Sequence, residues 1–130
     1  MLHHLELWVQ DLAASEASLG WLLLRLGFAA DSRWSAGISY RHEDFYIVLE
    51  SGPDVLPGGH DRTRAGLNHL AFHAGSQEEV EALAAEAGEH GFSLLFADRH
   101  PYAGGPQHYA AYLADEAGFE VELVASAAER

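Results

Sequence analysis

Cysteine is absent from this 130-residue chain. That excludes a disulfide framework, a thiolate nucleophile and a thiolate metal site, and it leaves the redox compartment open. Lysine is absent too. All seven basic residues are arginine, set against 20 acids, for a formal charge of −13 with histidine neutral. A chain this acidic repels phosphate backbones, so nucleic acid is not an expected partner. It attracts cations, metallic or organic, although most surface acids serve solubility. No apolar run approaches the ~18 residues of a membrane span, so no membrane partner is expected. The N-terminus turns polar within four residues, which argues against a secretory signal and for the cytoplasm.

What is present fits a globular protein: 48% hydrophobic and 11% aromatic residues. The length allows one domain over 1–130, or two small halves sharing a core. The chain also resembles itself. LHHLELWV (2–9) and LNHLAFHA (67–74) superpose with a shift of 65 residues, placing His4 on His69, Leu5 on Leu70 and Leu7 on Phe72. Each half closes on an apolar segment with a glutamate, FYIVLE ending at Glu50 and GFEVELV containing Glu122. A repeat of this kind decides the fold before any single element does.

Periodicity fills in each copy. Residues 2–9 alternate as a half-buried strand. Asp11 caps a helix over roughly 12–26, with Leu19, Leu22, Leu23 and Leu26 as its apolar stripe and Gly27 as its stop. Strands follow at Phe28–Trp34, Gly37–Arg41 and Phe45–Glu50. Residues 51–66, rich in Gly, Pro and charge, link the copies. The second copy repeats the order. It has a strand at 67–74, then a helix over roughly 77–90 opened by a Ser76/Glu79 capping box, with Val80, Leu83, Ala84 and Ala87 inward. Strands at Phe92–Ala97, His108–Leu113 and Phe119–Val124 complete it. The fold class is therefore α+β, two βαβββ modules at about 1–52 and 67–127.

Strand period also selects candidate ligands among nine histidines. His4, Glu50, His69 and Glu122 each face away from the helix-packed side of their strands. If the two sheets curl into a trough, all four can point into it. Two imidazoles and two carboxylates suit one divalent ion: Ni, Co, Zn, Fe or Mn. A loosely held carboxylate, Glu50 or Glu122, can double as a general base. The plainer alternative is a solvated His–Glu hydrogen bond in each copy. Glu6, His73 and Glu120 are close competitors, while His3 and His42 read as surface residues. The loop HPYAGGPQHY (100–109) carries a Gly104-Gly105 pair that permits close approach or movement. Trp8, Trp34, Tyr46 and Tyr109 are candidate pocket aromatics, with ordinary packing as the alternative.

These residues carry a family likeness. HLELWVQDL, with a helix ending in Leu26-Gly27-Phe28, resembles the opening of vicinal oxygen chelate superfamily proteins. DEAGFEVEL resembles their DPDGxxxEL segment, with Glu116 and Ala117 replacing its Pro and second Asp. The superfamily includes glyoxalase I, methylmalonyl-CoA epimerase, extradiol dioxygenases, fosfomycin-resistance enzymes and bleomycin-binding proteins. The resemblance implies paired βαβββ modules forming a cup-shaped mixed sheet with helices outside, usually within a homodimer. It implies His4, Glu50, His69 and Glu122 as ligands, the glyoxalase I pattern, with glutamates at the Glu50 and Glu122 positions tied to proton transfer. The implied function is a metal-dependent lyase or isomerase acting on a small substrate that chelates through vicinal oxygens. The alternatives are a non-catalytic antibiotic-binding protein, for which a cationic ligand suits the acidity, and an extradiol-type dioxygenase with two His and one Glu. Basic residues that could meet a substrate carboxylate are Arg33, Arg41, Arg62, Arg64 and Arg99.

Overall fold

The computed structural model describes residues 1–127. The chain divides into two compact units, Met1–His60 and Asp61 onward. Each is a four-stranded mixed sheet with helix packed against it. No helix among the described residues is long and apolar enough to cross a membrane.

The first unit opens with β1 (His4–Trp8). A helical stretch follows: α1 (Leu12–Ser15), a π-helical turn (Glu16–Gly20) and α2 (Trp21–Arg25). Then come β2 (Ala29–Trp34), β3 (Gly37–His42) and β4 (Phe45–Glu50). The sheet order is β1-β4-β3-β2, with β1 parallel to β4 and the other pairs antiparallel. Asp11 caps the helix as expected: its Oδ1 accepts the Ala14 amide at 3.1 Å. Removing that acceptor with Asp11→Ala is expected to cost about 1 kcal/mol, read as a lowered denaturation midpoint at unchanged slope. The π turn is a feature that helical periodicity does not disclose. It ends at Gly20, where an added Cβ would lie 2.3 Å from the Tyr40 hydroxyl. Tyr40 is buried on β3, so the helix sits hard against the sheet there. Leu19, Leu22 and Leu23 enter the core with Leu7, Val9, Ile38, Ile47 and Leu49, while Leu26 is only half-buried.

The second unit repeats the plan with β5 (His69–His73), α3 (Gln77–Ala87), a 3₁₀ turn (Gly88–His90), β6 (Phe92–Leu94), β7 (Ala110–Asp115) and β8 (Glu120–Val124). Its order is β5-β8-β7-β6, again with the first pair parallel. The capping box forms: the Glu79 amide donates to Ser76 Oγ at 3.1 Å and the Ser76 amide to Glu79 Oε1 at 3.2 Å. Val80, Leu83 and Ala87 are buried with Phe92, Leu113, Val121 and Leu123. Two of the strand limits that differ from the periodicity bear on the site. β6 stops at Leu94 rather than Ala97, because Phe96 takes a left-handed backbone (φ 54°) that no strand can continue. β7 begins at Ala110, leaving His108 in the loop.

That loop is tied to α3. Tyr109 donates its hydroxyl to Glu81, and His100 Nε2 lies 2.7 Å from the same carboxylate. Burial pushes Glu81 upward, but hydrogen bonds from Tyr109 and His100 prevail and leave it below its ordinary value. The hydrogen bond to Glu81, followed by burial, pushes Tyr109 up to about 12. The fold favours the neutral phenol. The tie is therefore intact below the ordinary tyrosine value of 10.0 and is lost as pH rises through about 12. An ultraviolet phenolate titration should show one tyrosine ionising near that upper value, absent in Tyr109→Phe. A Tyr109→Phe curve identical to wild type would contradict the tie.

Candidate active site

Register shows what each unit gathers on its open face. In the second unit His69 is paired with Glu120, and Ala71 with Glu122, on parallel strands. Alternation puts His69, Glu120 and Glu122 on one side, with Leu70, Val121 and Leu123 on the other. Tyr112 of β7 is the register partner of Glu122 and shares that open face.

The second unit brings two of the four expected ligands together. Glu122 is only 5% exposed. His69 Nε2 lies 3.0 Å from its Oε1, and His108 Nε2 contacts its Oε2. His69 Nδ1 is held 2.7 Å from the Asn68 side-chain oxygen, which fixes the ring. Tyr112 packs edge-on to His69 with centroids 5.9 Å apart. Burial first, then the Glu122 charge beside it, raises the Tyr112 phenol, so it stays protonated and able to donate. Gly104 earns its place by close approach: a Cβ there would lie 2.3 Å from the Tyr112 hydroxyl and 2.9 Å from the His108 ring. Glu120 is equally buried and is paired with Arg62, whose Nη1 donates to Oε1 at 2.8 Å. A buried carboxylate needs such a partner, since desolvation otherwise costs several kcal/mol.

The first unit does not bring His4 and Glu50 together. His4 is paired with Tyr46, whereas Glu50 is paired with Trp8, at opposite ends of the β1–β4 ladder. The His4 ring stacks on Tyr46 with centroids 4.7 Å apart, and its Nδ1 is 2.8 Å from Nδ1 of His3. Glu50 Oε1 accepts the Trp34 indole N–H at 2.9 Å, and Glu6 accepts that of Trp8 at 2.7 Å. The expected equivalence of Glu50 with Glu122 is corrected by the register. Tyr46 stands where Glu120 does, 74 residues apart, so the counterpart of Glu122 is Val48. Glu50 lies two residues beyond it, on the same face, opposite Trp8.

Sequence reasoning passed over His108 and left Arg62 unassigned. A signal for His108 existed, because counting back in steps of two from Tyr112 puts it on the face of Glu122. For Arg62 there was none, because its partner is 58 residues away.

Among the described residues no three or more His, Asp or Glu side chains form a ready cage for a metal. The donor chemistry around Glu122 nevertheless fits a borderline divalent ion: two imidazole nitrogens set against one carboxylate.

Comparison with known proteins completes the picture. The glyoxalase/bleomycin resistance protein/dioxygenase superfamily profile matches residues 3–112. The uncharacterised protein YqjT of Bacillus subtilis (strain 168) is 43% identical over 125 residues, covering 95% of this chain and 98% of YqjT. A candidate glyoxalase of Bacillus halodurans superposes with a TM-score of 0.90 at 45% identity, covering 97% of this chain and 96% of that one. Lactoylglutathione lyase from Agrobacterium tumefaciens shares the fold at 17% identity, with a TM-score of 0.65 over 97% of this chain and 93% of that one. The α+β arrangement of two βαβββ modules is thus the fold of these proteins, and the chain belongs to the glyoxalase/bleomycin resistance protein/dioxygenase superfamily, the vicinal oxygen chelate superfamily.

Proposed function

We propose that the chain is a divalent-metal-dependent lyase or isomerase of the glyoxalase type, acting on a small molecule that chelates through vicinal oxygens. The observation that carries this reading is the buried Glu122 carboxylate set between Nε2 of His69 and Nε2 of His108. His69 and Glu122 would hold the cation, with His4 as the first unit's candidate ligand. Val48 stands where a second glutamate would be required, so Glu122 rather than Glu50 is the proton carrier in this proposal. Ni, Co, Zn, Fe or Mn supplies Lewis-acid polarisation of substrate oxygens when bound.

The chain's own residues do the remaining work. Glu122 takes a proton from the carbon next to a substrate carbonyl and returns it to the neighbouring atom. Burial of the carboxylate keeps water from competing for that proton. His108, whose side chain is 43% exposed, touches the second oxygen and connects it to solvent. Tyr112 remains a donor for a substrate oxygen. The test is chelator-stripped protein assayed with thiol adducts of α-oxoaldehydes. Turnover is expected to vanish on stripping and return with one added divalent ion. Undiminished turnover in stripped protein would contradict the proposal.

One observation favours a second reading. With Val48 in the first unit, the candidate set has two His and one Glu, the donor count of extradiol-type dioxygenases. Oxygen uptake by Fe²⁺-loaded protein given catechols would select that reading, and its absence would retain the first.

A further inference from the structure

The helix-packed side of the second unit holds a polar cluster that the chemistry assigned to Glu122 does not use. Glu81 lies on α3, and its carboxylate meets side chains from the two ends of one loop. Nε2 of His100 lies 2.7 Å from Oε1 and 3.0 Å from Oε2, and the Tyr109 hydroxyl donates to Oε2. Between them run residues 101–108. Their ends are drawn close, since the Ala110 amide donates to the Pro101 carbonyl at 3.0 Å. Two turns shape the interior: the Gly105 amide donates to the Tyr102 carbonyl at 3.1 Å, and the His108 amide to the Gly105 carbonyl at 3.2 Å. Tyr102 packs edge-on against Tyr109 with centroids 5.6 Å apart.

His108 and Tyr109 are neighbours in sequence that serve opposite sides of the sheet. Tyr109 reaches Glu81 on the helix side, and His108 reaches Glu122 on the open side. Fixing one side chain therefore fixes the other. The His108 side chain is 43% exposed, so packing alone does not hold its ring. We propose that Glu81 is a positioning residue for the proton step: by clamping both stems of the 101–108 loop, it holds the His108 imidazole on Glu122. The inference rests on the reading that assigns this step to Glu122 and His108, but the clamp stands on its own contacts. Glu81 acts through Tyr109, from the far side of the sheet. Its side chain is 43% exposed, and an ion pair so open to water adds little to global stability. The helix that carries it keeps its own capping box and buried face. Loss of the carboxylate should therefore loosen the loop without unfolding the unit.

The test compares wild type, Glu81→Ala and Glu81→Gln by two readouts. The first is the ring Cε1–Hε1 NMR signal of His108 in metal-free protein, assigned with His108→Gln. It is expected to shift and broaden in Glu81→Ala, as the ring exchanges one fixed contact for several. It should keep its wild-type position in Glu81→Gln, whose amide oxygen still accepts from Tyr109. The His42 signal, from the first unit, should not move in either variant. The second readout is turnover of metal-loaded protein. Glu81→Ala is expected to lower kcat by about tenfold to 10²-fold with KM little changed, the mark of a misplaced group rather than of lost binding. Glu81→Gln should restore most of it. A His108 signal unmoved in Glu81→Ala, or moved as far in Glu81→Gln, would overturn the proposal, as would an undiminished kcat in Glu81→Ala. Wild type without turnover would overturn the lyase or isomerase reading alone, and the His108 signal then decides the clamp. Should Glu81→Ala fail to fold, Tyr109→Phe takes its place: a shifted His108 signal supports the clamp, and an unshifted one overturns it.

Discussion

Glu122→Gln is expected to lower turnover by about 10²–10⁴-fold, the range that a positioned proton carrier supplies. Glutamine keeps the shape and the hydrogen-bond acceptor facing His69 but cannot take a proton, and it carries no charge to set against a cation. The carboxylate is buried, both oxygens face imidazoles, and no arginine among the described residues is paired with it. The fold should survive, since the amide oxygen still accepts and a buried charge is removed rather than orphaned. Unchanged unfolding with lost turnover is therefore the expected pairing of results. Glu50→Gln serves as the comparison. Its carboxylate accepts from the Trp34 indole and lies at the far end of the ladder from His4, so a far smaller loss of turnover is expected. Equal losses in the two variants would restore Glu50 to the chemistry and remove the register argument.

Gly37→Ala is expected to destabilise the protein by about 1–3 kcal/mol, the usual cost of forcing volume into a packed site. A Cβ at Gly37 would lie 2.5 Å from the Trp34 ring and 2.7 Å from the Leu49 carbonyl oxygen. The indole is partly exposed and could swing away, but the backbone of β4 cannot move without disturbing the ladder in which Gly37 faces Glu50. The displacement should also break the Trp34–Glu50 hydrogen bond, seen as a shift in tryptophan fluorescence under native conditions. Urea unfolding measures the loss. A midpoint equal to wild type would show that the close approach is not sustained.

The repeat made the architecture legible because both copies bury the same alternating residues. Leu7, Ile47 and Leu49 in one unit do what Phe72, Val121 and Leu123 do in the other, so one pattern read twice fixes βαβββ order. Caps were legible for the same local reason: Asp11, Ser76 and Glu79 act on amides within a few residues. The site was legible only in part. Matching the copies at β1 and β5 needs a shift of 65, whereas β4 and β8 need 74, so the second unit carries extra loop between them. Sequence spacing alone picked the nearest glutamate, Glu50, and parity could not object, because a two-residue slip keeps the same face. Alternation back from Tyr112 does put His108 on the face of Glu122, whereas the contact between distant segments, Arg62 with Glu120, leaves no trace in local pattern. The π turn at Glu16–Gly20 is likewise invisible until Tyr40 packs beneath it.

The most direct test of the central claim is elemental analysis of untagged protein loaded with each divalent ion and then desalted. Wild type, His69→Ala and Glu122→Gln should be run side by side. The account predicts close to one Ni, Co, Zn, Fe or Mn per chain in wild type and loss of retained metal in both variants. Wild type that retains no metal, or variants that retain as much as wild type, would contradict it.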